Sequence, residues 1–190
     1  MDLVYLAGAP AVGKSTLMAR LTEGAERVAR ADVKLVPYDE LRVAGEVVGA
    51  EIGKRRVNFP GTDSLAMNAL PNVAKWLDAK MFDVVCAEGD RLTHVRFFGS
   101  AADAGYSVHV FLLRAPMSVL DRRCEARGSN QSRSWRLSRV TLGERVAAWA
   151  EAEDRISMHY LDSQRPVTEL AEEVRRAVPA MEILRERVAG

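Results

Sequence analysis

Gly8-Ala-Pro-Ala-Val-Gly-Lys-Ser15 constrains this chain more than any other stretch. It fills every fixed position of the pattern GxxxxGK[ST]. The apolar run Leu3-Val4-Tyr5-Leu6-Ala7 before it reads as a buried strand, and Ser15-Thr16-Leu17-Met18-Ala19-Arg20-Leu21 after it reads as a helix. That strand–loop–helix setting gives the pattern its meaning. Gly8 and Gly13 permit backbone angles that a Cβ opposes. Successive N–H groups can then converge on one anion, and the helix adds the positive end of its dipole. Gly8, Ala9, Pro10, Ala11, Val12, Gly13, Lys14, Ser15 and Thr16 are therefore expected to cradle the phosphates of ATP. Lys14 would reach the β- and γ-phosphates and the Ser15 hydroxyl would bind Mg²⁺. The competing reading is a glycine-rich turn that happens to precede a helix.

The rest of the chain supplies the scaffold. Its 190 residues, 48% of them apolar, suffice for one compact α/β domain and are short for two. The 27 basic and 26 acidic side chains nearly balance, so any nucleic-acid-binding surface must be local. No run approaches the ~20 apolar residues that span a bilayer, and the first apolar run is a strand, not a signal segment. With two cysteines lacking metal-ligand spacing, a cytoplasmic protein with reduced thiols is expected. His94, His109 and His159 also lack ligand spacing, and His109 alternates inside a strand.

Further strands are expected over 33–37, 82–87, 106–113 and 158–161. Helices are expected over 64–80 (kinked at Pro71, with Thr62 or Asp63 as its cap), 93–104, 117–127, 140–156 and 167–178, and a last short helix after Pro179. The glycine-containing segment up to Gly53 reads as weakly helical. Short apolar strands alternating with helices imply a parallel sheet covered on both faces, with ligands at the carboxyl ends of the strands.

Those ends carry charged groups. Asp39 and Arg42 follow the second expected strand, three residues apart, which on an incipient helix puts both on one face. The carboxylate could take a proton from an attacking hydroxyl, and the arginine could hold the phosphoryl group or its acceptor. A helix-capping aspartate beside a solvated arginine is the alternative. The third strand ends in Glu88-Gly89-Asp90-Arg91. Glu88 or Asp90 there could orient Mg²⁺, with Arg91 on substrate; charges on a solvated turn are the alternative.

Six arginines, Arg122, Arg123, Arg127, Arg133, Arg136 and Arg139, fall around the polar segment 129–138, which reads as a loop. Arginines on a mobile loop would stabilise a transferring phosphoryl group and exclude water, although Asp121 and Glu125 could pair some of them. Lys54-Arg55-Arg56 and Phe59-Pro60-Gly61-Thr62-Asp63 lie where an acceptor-binding insertion would sit. Phe59 or Trp135 could stack on a base, although each aromatic is equally at home in packing.

Together, the phosphate loop, the Glu-Gly-Asp-Arg strand end and the late arginine-rich segment resemble the P-loop kinases of the nucleoside- and nucleotide-kinase-like group, from Leu3 to about Leu161. The resemblance implies an α/β three-layer P-loop NTPase fold. Its sheet would have five parallel strands in the order 2-3-1-4-5, with helices on both faces and an arginine-rich LID at about 128–138. It further implies a single domain over 1–190, with an acceptor-binding insertion at about 40–80. Asp39 and Arg42 resemble the Asp-x-x-Arg of polynucleotide 5′-hydroxyl kinases, where the acid is the general base. Segments 59–65, 87–92 and 127–135 are similar to those of small phage-encoded kinases, some of which phosphorylate 5-hydroxymethyluracil in DNA.

The expected activity is transfer of the ATP γ-phosphate, with Mg²⁺, to a hydroxyl of a nucleoside or of DNA. Lys14, Asp39, Arg42, Arg127, Arg133 and Arg136 would be catalytic. Arg42, Phe59, Thr62, Asp63 and Arg91 would hold the acceptor, and Ser15, Glu88 and Asp90 the metal. A small-molecule or nucleoside monophosphate kinase is the alternative, followed by a nucleotide-dependent switch or binding module. The guanine-reading NKxD and the LSGGQ signatures are absent from the sequence.

Overall fold

The computed structural model describes residues 1–30, 36–54, 61–79 and 82–185. In chain order the strands are β1 (Asp2–Ala7), β2 (Glu26–Arg30), β3 (Tyr38–Val43), β4 (Glu46–Ile52), β5 (Val84–Glu88), β6 (Ser107–Arg114) and β7 (Ile156–Asp162). The helices are α1 (Lys14–Leu21), α2 (Leu70–Asp78), α3 (Val95–Asp103), α4 (Met117–Ala126), α5 (Arg133–Glu151) and α6 (Val167–Ala177). Short 3₁₀ helices lie at Gly61–Ser64 and Pro179–Leu184.

These strands form one mixed sheet of seven, β2-β3-β4-β5-β1-β6-β7, in place of the expected five-stranded parallel sheet. Its parallel part is β4-β5-β1-β6-β7, which in chain order among those five strands runs 2-3-1-4-5. Two antiparallel strands extend one edge. The second parallel strand is therefore Glu46–Ile52. Of the expected strand at 33–37, residues 33–35 lie outside the described residues, and Val36 and Pro37 are not strand.

The segment read as weakly helical is a β-hairpin. Ala44 and Gly45 both have positive φ (53° and 85°), which suits the right-handed twist of paired strands. Gly49 lies against β5, where a Cβ would come within 2.6 Å of the Val84 carbonyl oxygen.

Strand alternation gives each sheet face its own core. Leu3 and Tyr5 pack with Val73, Trp76 and Leu77 of α2, Phe97 and Phe98 of α3 and Val146 of α5. Val4 and Leu6 pack on the other face with Leu17 and Leu21 of α1, Leu170 and Val174 of α6, and Met181. Pro71 does not kink a helix. It stands in the first turn of α2, where its missing N–H costs nothing. Neither Thr62 nor Asp63 caps α2, which begins seven residues after Asp63. His94 caps α3 by accepting from the Arg96 N–H at 3.0 Å. The expected loop at 129–138 is shorter, since Ser132 caps α5 and Arg133–Ser138 are already helical.

Candidate active site

β1, β5 and β6 carry the site at their carboxyl ends. The loop after β1 has φ of 135° at Gly8, 61° at Ala11 and 111° at Gly13. Alternating left-handed residues of this kind turn N–H groups inward and make an anion nest. Gly8 is also a close approach: a Cβ there would come within 2.6 Å of the Leu113 carbonyl oxygen at the end of β6. Lys14 is largely buried and donates to the carbonyl oxygens of Gly8 at 2.6 Å and Ala9 at 3.2 Å.

Beside this loop, Leu6 pairs with Glu88 in register, which brings the β5 terminus to the phosphate loop. Ser15 Oγ donates to Glu88 Oε1 at 2.9 Å, and Lys14 Nζ lies 4.0 Å from Asp90 Oδ1. Burial raises the pKa of Glu88, against the Lys14 charge and the Ser15 hydrogen bond. Burial likewise raises that of Asp90, opposed by Lys14 and by Arg139 and Arg91, with Asp63 adding to the rise.

The turn after Glu88 is held from several sides. Tyr5 Oη donates to the Gly89 carbonyl oxygen at 2.6 Å, and Thr93 Oγ1 donates to the same oxygen at 2.7 Å. Asp63 Oδ1 accepts from the N–H groups of Asp90 at 2.8 Å and Arg91 at 3.1 Å. The 3₁₀ helix at Gly61–Ser64 thus seats on the β5 end. Thr62 is fully buried beneath it, close to Gly89, where a Cβ would lie 2.6 Å from Thr62 Oγ1. Arg91 reaches the exposed Met67.

The structure does not bring Asp39 and Arg42 to this cluster. Both are in β3, not on a helix after a strand end. Asp39 pairs with Arg27 at 3.2 Å, and Arg27 also bonds Glu51 and Thr22. Asp39 is level with Glu51, and Glu51 with Cys86, two residues short of Glu88. Three strand spacings separate β3 from β1, roughly 14 Å. Arg42 instead bonds Glu40, which also binds Arg30, and strand alternation puts Glu40 and Asp39 on opposite faces. The expected acid–arginine pair is therefore not assembled.

Among the arginines, Arg133 Nε donates to Asp121 at 3.2 Å and Arg136 Nη2 to Asp121 at 2.7 Å, which ties both to α4. Arg127 is exposed and lines a cavity of about 270 Å³ with Gly13, Thr16, Arg123, Ser163 and Arg165. Of the six clustered arginines, the one whose charge acts on Asp90 is Arg139. It is half-buried and lies over the Trp135 ring at 5.4 Å. Its buried Nε has no partner among the described residues. Arg139 stood out in the sequence only as one of six arginines; its place one helical turn after Trp135 and Arg136 was the available signal. Phe59, Arg55 and Arg56 lie outside the described residues.

These features fit a bound polyphosphate with a divalent cation. The nest is cut to backbone width, and the Ser15 hydroxyl is already paired with a buried carboxylate that a cation would neutralise. A family model described as P-loop Nucleotide Kinase3 matches residues 1–159. The chain belongs to this family. No curated protein sequence matches it. Among solved structures, the chain is similar to a gluconokinase from Sinorhizobium meliloti 1021, with TM-score 0.54 and 16% identity over 96% of this chain and 91% of that one. It is similar to a sugar kinase from Janibacter sp., with TM-score 0.56 and 16% identity over 95% and 98%. A deoxyadenosine kinase from M. mycoides gives 0.52 and 10% over 94% and 99%. At these identities the likeness concerns the fold. Among the described residues, no helix of this kinase-family chain is long and apolar enough to cross a membrane.

Proposed function

We propose that this P-loop kinase transfers the γ-phosphate of ATP to a hydroxyl acceptor, and that the acceptor is a nucleoside or nucleic-acid hydroxyl such as that of 5-hydroxymethyluracil in DNA. The observation that carries the reading is the convergence of Lys14, Ser15, Glu88 and Asp90 at the ends of β1 and β5. Mg-ATP, when bound, supplies the phosphoryl group and part of the charge neutralisation that its transfer needs. The nest from Gly8 to Thr16 holds the phosphates, while Ser15 and Glu88 hold the cation. Lys14 leaves the Gly8 and Ala9 carbonyls to bind the transferring group. Arg139, whose charge acts on Asp90, stabilises charge on that group. Asp90, the carboxylate nearest Lys14, accepts a hydrogen bond from the acceptor hydroxyl and orients it.

The acceptor side is built by segment 40–80, through the Gly61–Ser64 helix, together with Arg91. The α4–α5 connection and the start of α5 act as the LID. Arg91, Arg139 and the exposed Trp135 beneath Arg139 support an acceptor with anionic groups and a flat ring. Gluconokinase and sugar kinase structures of like fold favour a second reading, a small sugar or sugar-acid acceptor.

The test is transfer of labelled γ-phosphate to a panel of nucleosides, nucleoside monophosphates, gluconate and sugars, 5′-hydroxyl DNA, and DNA containing 5-hydroxymethyluracil. Label on DNA or nucleoside, abolished in Asp90→Asn, supports the proposal. Label confined to sugars or acids moves the acceptor to the second reading. ATP turnover that is indifferent to every acceptor rejects a kinase.

A further inference from the structure

An anion nest turns its N–H groups inward only if its carbonyls turn outward, and those carbonyls need partners of their own. In this loop two cations supply them. Lys14 holds the Gly8 and Ala9 carbonyls, but on the reading above it must release them when phosphate arrives. A further loop carbonyl, that of Val12, lies between the left-handed residues Ala11 and Gly13. Arg123 of α4 holds it, with Nη1 donating to the Val12 oxygen at 3.1 Å. The same guanidinium donates to Ser163 Oγ at 3.1 Å and to the Ser163 carbonyl oxygen at 2.8 Å. Ser163 is buried in the turn between β7 and α6. Arg123 therefore joins three segments remote in sequence: α4, the phosphate loop and the β7–α6 turn. The same three segments wall the cavity of about 270 Å³ that opens beside Gly13 and Thr16.

We propose that Arg123 is a positioning residue that holds the phosphate loop in its anion-binding form and fixes the adjoining β7–α6 wall, without itself touching phosphate. The proposal rests on the nucleotide-binding reading given above. Its bonds run from two nitrogens, Nη1 and Nη2, to three acceptor atoms on two segments, a reach that the guanidinium fork has and the single nitrogen of an ammonium lacks. It also separates Arg123 from its neighbours in the arginine-rich stretch. Arg133 and Arg136 are paired to Asp121, and the charge of Arg139 acts on Asp90. Arg123 alone of these four donates to the phosphate loop.

If Arg123 acts by position, its loss must damage both halves of the nucleotide site at once. Adenosine, which has no phosphate, would lose its wall, and tripolyphosphate, which has no base, would lose its nest. A direct charge contact would affect only tripolyphosphate. The experiment is calorimetric binding of adenosine, tripolyphosphate and ATP to the wild-type chain, Arg123→Lys and Arg123→Ala, with thermal melts of each. Removing hydrogen bonds from a charged donor is expected to weaken adenosine and tripolyphosphate each by about 10- to 100-fold. Arg123→Lys should be weakened on both ligands although it keeps the charge. Added guanidinium at millimolar concentration should restore part of the affinity of Arg123→Ala. Loss confined to tripolyphosphate, with Arg123→Lys close to wild type, would overturn the proposal. So would unchanged affinity for both ligands in folded Arg123→Lys. Failure of the wild-type chain to bind any of the three would instead reject the nucleotide site itself, and this inference with it.

Discussion

Gly53 sits where β4 meets the acceptor side of the site, and replacing it with alanine gives a prediction with a worked magnitude. Its φ is +103°, and an added Cβ would lie 1.9 Å from the Gly61 carbonyl oxygen and 2.2 Å from its carbon. Both are backbone atoms, so no rotamer change relieves the overlap, and the Gly61–Ser64 helix must retreat by roughly 1 Å or more to reach ordinary contact. Left-handed strain at a non-glycine residue costs about 1–3 kcal/mol. The retreat also pulls Asp63 from the Asp90 and Arg91 N–H groups, which costs about 1–3 kcal/mol more. A total of about 2–6 kcal/mol is a large part of the 5–15 kcal/mol that stabilises a typical domain. At this chain length it lowers Tm by roughly 10 °C. Gly45→Ala is the matched control: its φ is also positive, at +85°, but nothing lies within 4 Å of its Cβ. Strain alone of about 1–2 kcal/mol should lower its Tm by only about 2–8 °C. Thermal melts of both variants, with the acceptor KM of the folded fraction, make the test. A Gly53→Ala chain no less stable than Gly45→Ala would refute the close seating of the 3₁₀ helix on the sheet.

Other outcomes follow from the same geometry. Glu88→Gln should raise Tm at neutral pH and weaken Mg²⁺ dependence. Burial raises the carboxyl pKa in the folded chain, so stability falls as pH rises from the ordinary carboxyl range through the raised value. The gain should therefore shrink toward zero below about pH 4, which melts across pH 4–8 would show. Arg139→Ala should lower kcat by about 100-fold while Arg133→Ala changes it less than threefold, because the Arg139 charge acts on Asp90 whereas Arg133 is paired with Asp121; steady-state kinetics of the pair decides. Asp39→Asn should lose stability by leaving Arg27 partly unpaired, yet keep the wild-type kcat in its folded fraction. A collapse of kcat without a change in Tm would return Asp39 to the reaction.

The phosphate loop was legible because its meaning is local. Eight consecutive residues set the nest, and β1 and α1 flank them where expected. The parallel part keeps the order 2-3-1-4-5 that the resemblance implies, but its second strand is Glu46–Ile52, not the expected 33–37, and the whole sheet is mixed and seven-stranded. The hairpin Tyr38–Ile52 was not legible. Its glycines and alanines weaken any periodic signal, yet Ala44-Gly45 between residues rich in valine was a turn signal of the hairpin kind. That turn puts Asp39 and Arg42 in an interior strand, where three-residue spacing places two side chains on opposite faces and not together. The arginines show a different limit. Charge and spacing revealed that several cluster, but which one is tied up by Asp121, which by Val12 and Ser163, and which acts on Asp90 depends on contacts across the sheet. Asp63 was read as touching the acceptor. The structure uses one of its oxygens to fix the turn that carries Asp90.

The most direct test of the central claim is stoichiometry. ADP release and labelled acceptor would be counted in the same reaction, with 5-hydroxymethyluracil DNA, nucleosides and sugars each in turn, for wild type and Lys14→Met. A phosphotransferase gives one ADP for each labelled acceptor, little ADP without an acceptor, and neither product in Lys14→Met. ADP formed at the same rate with and without every acceptor, with no label transferred, would contradict the account.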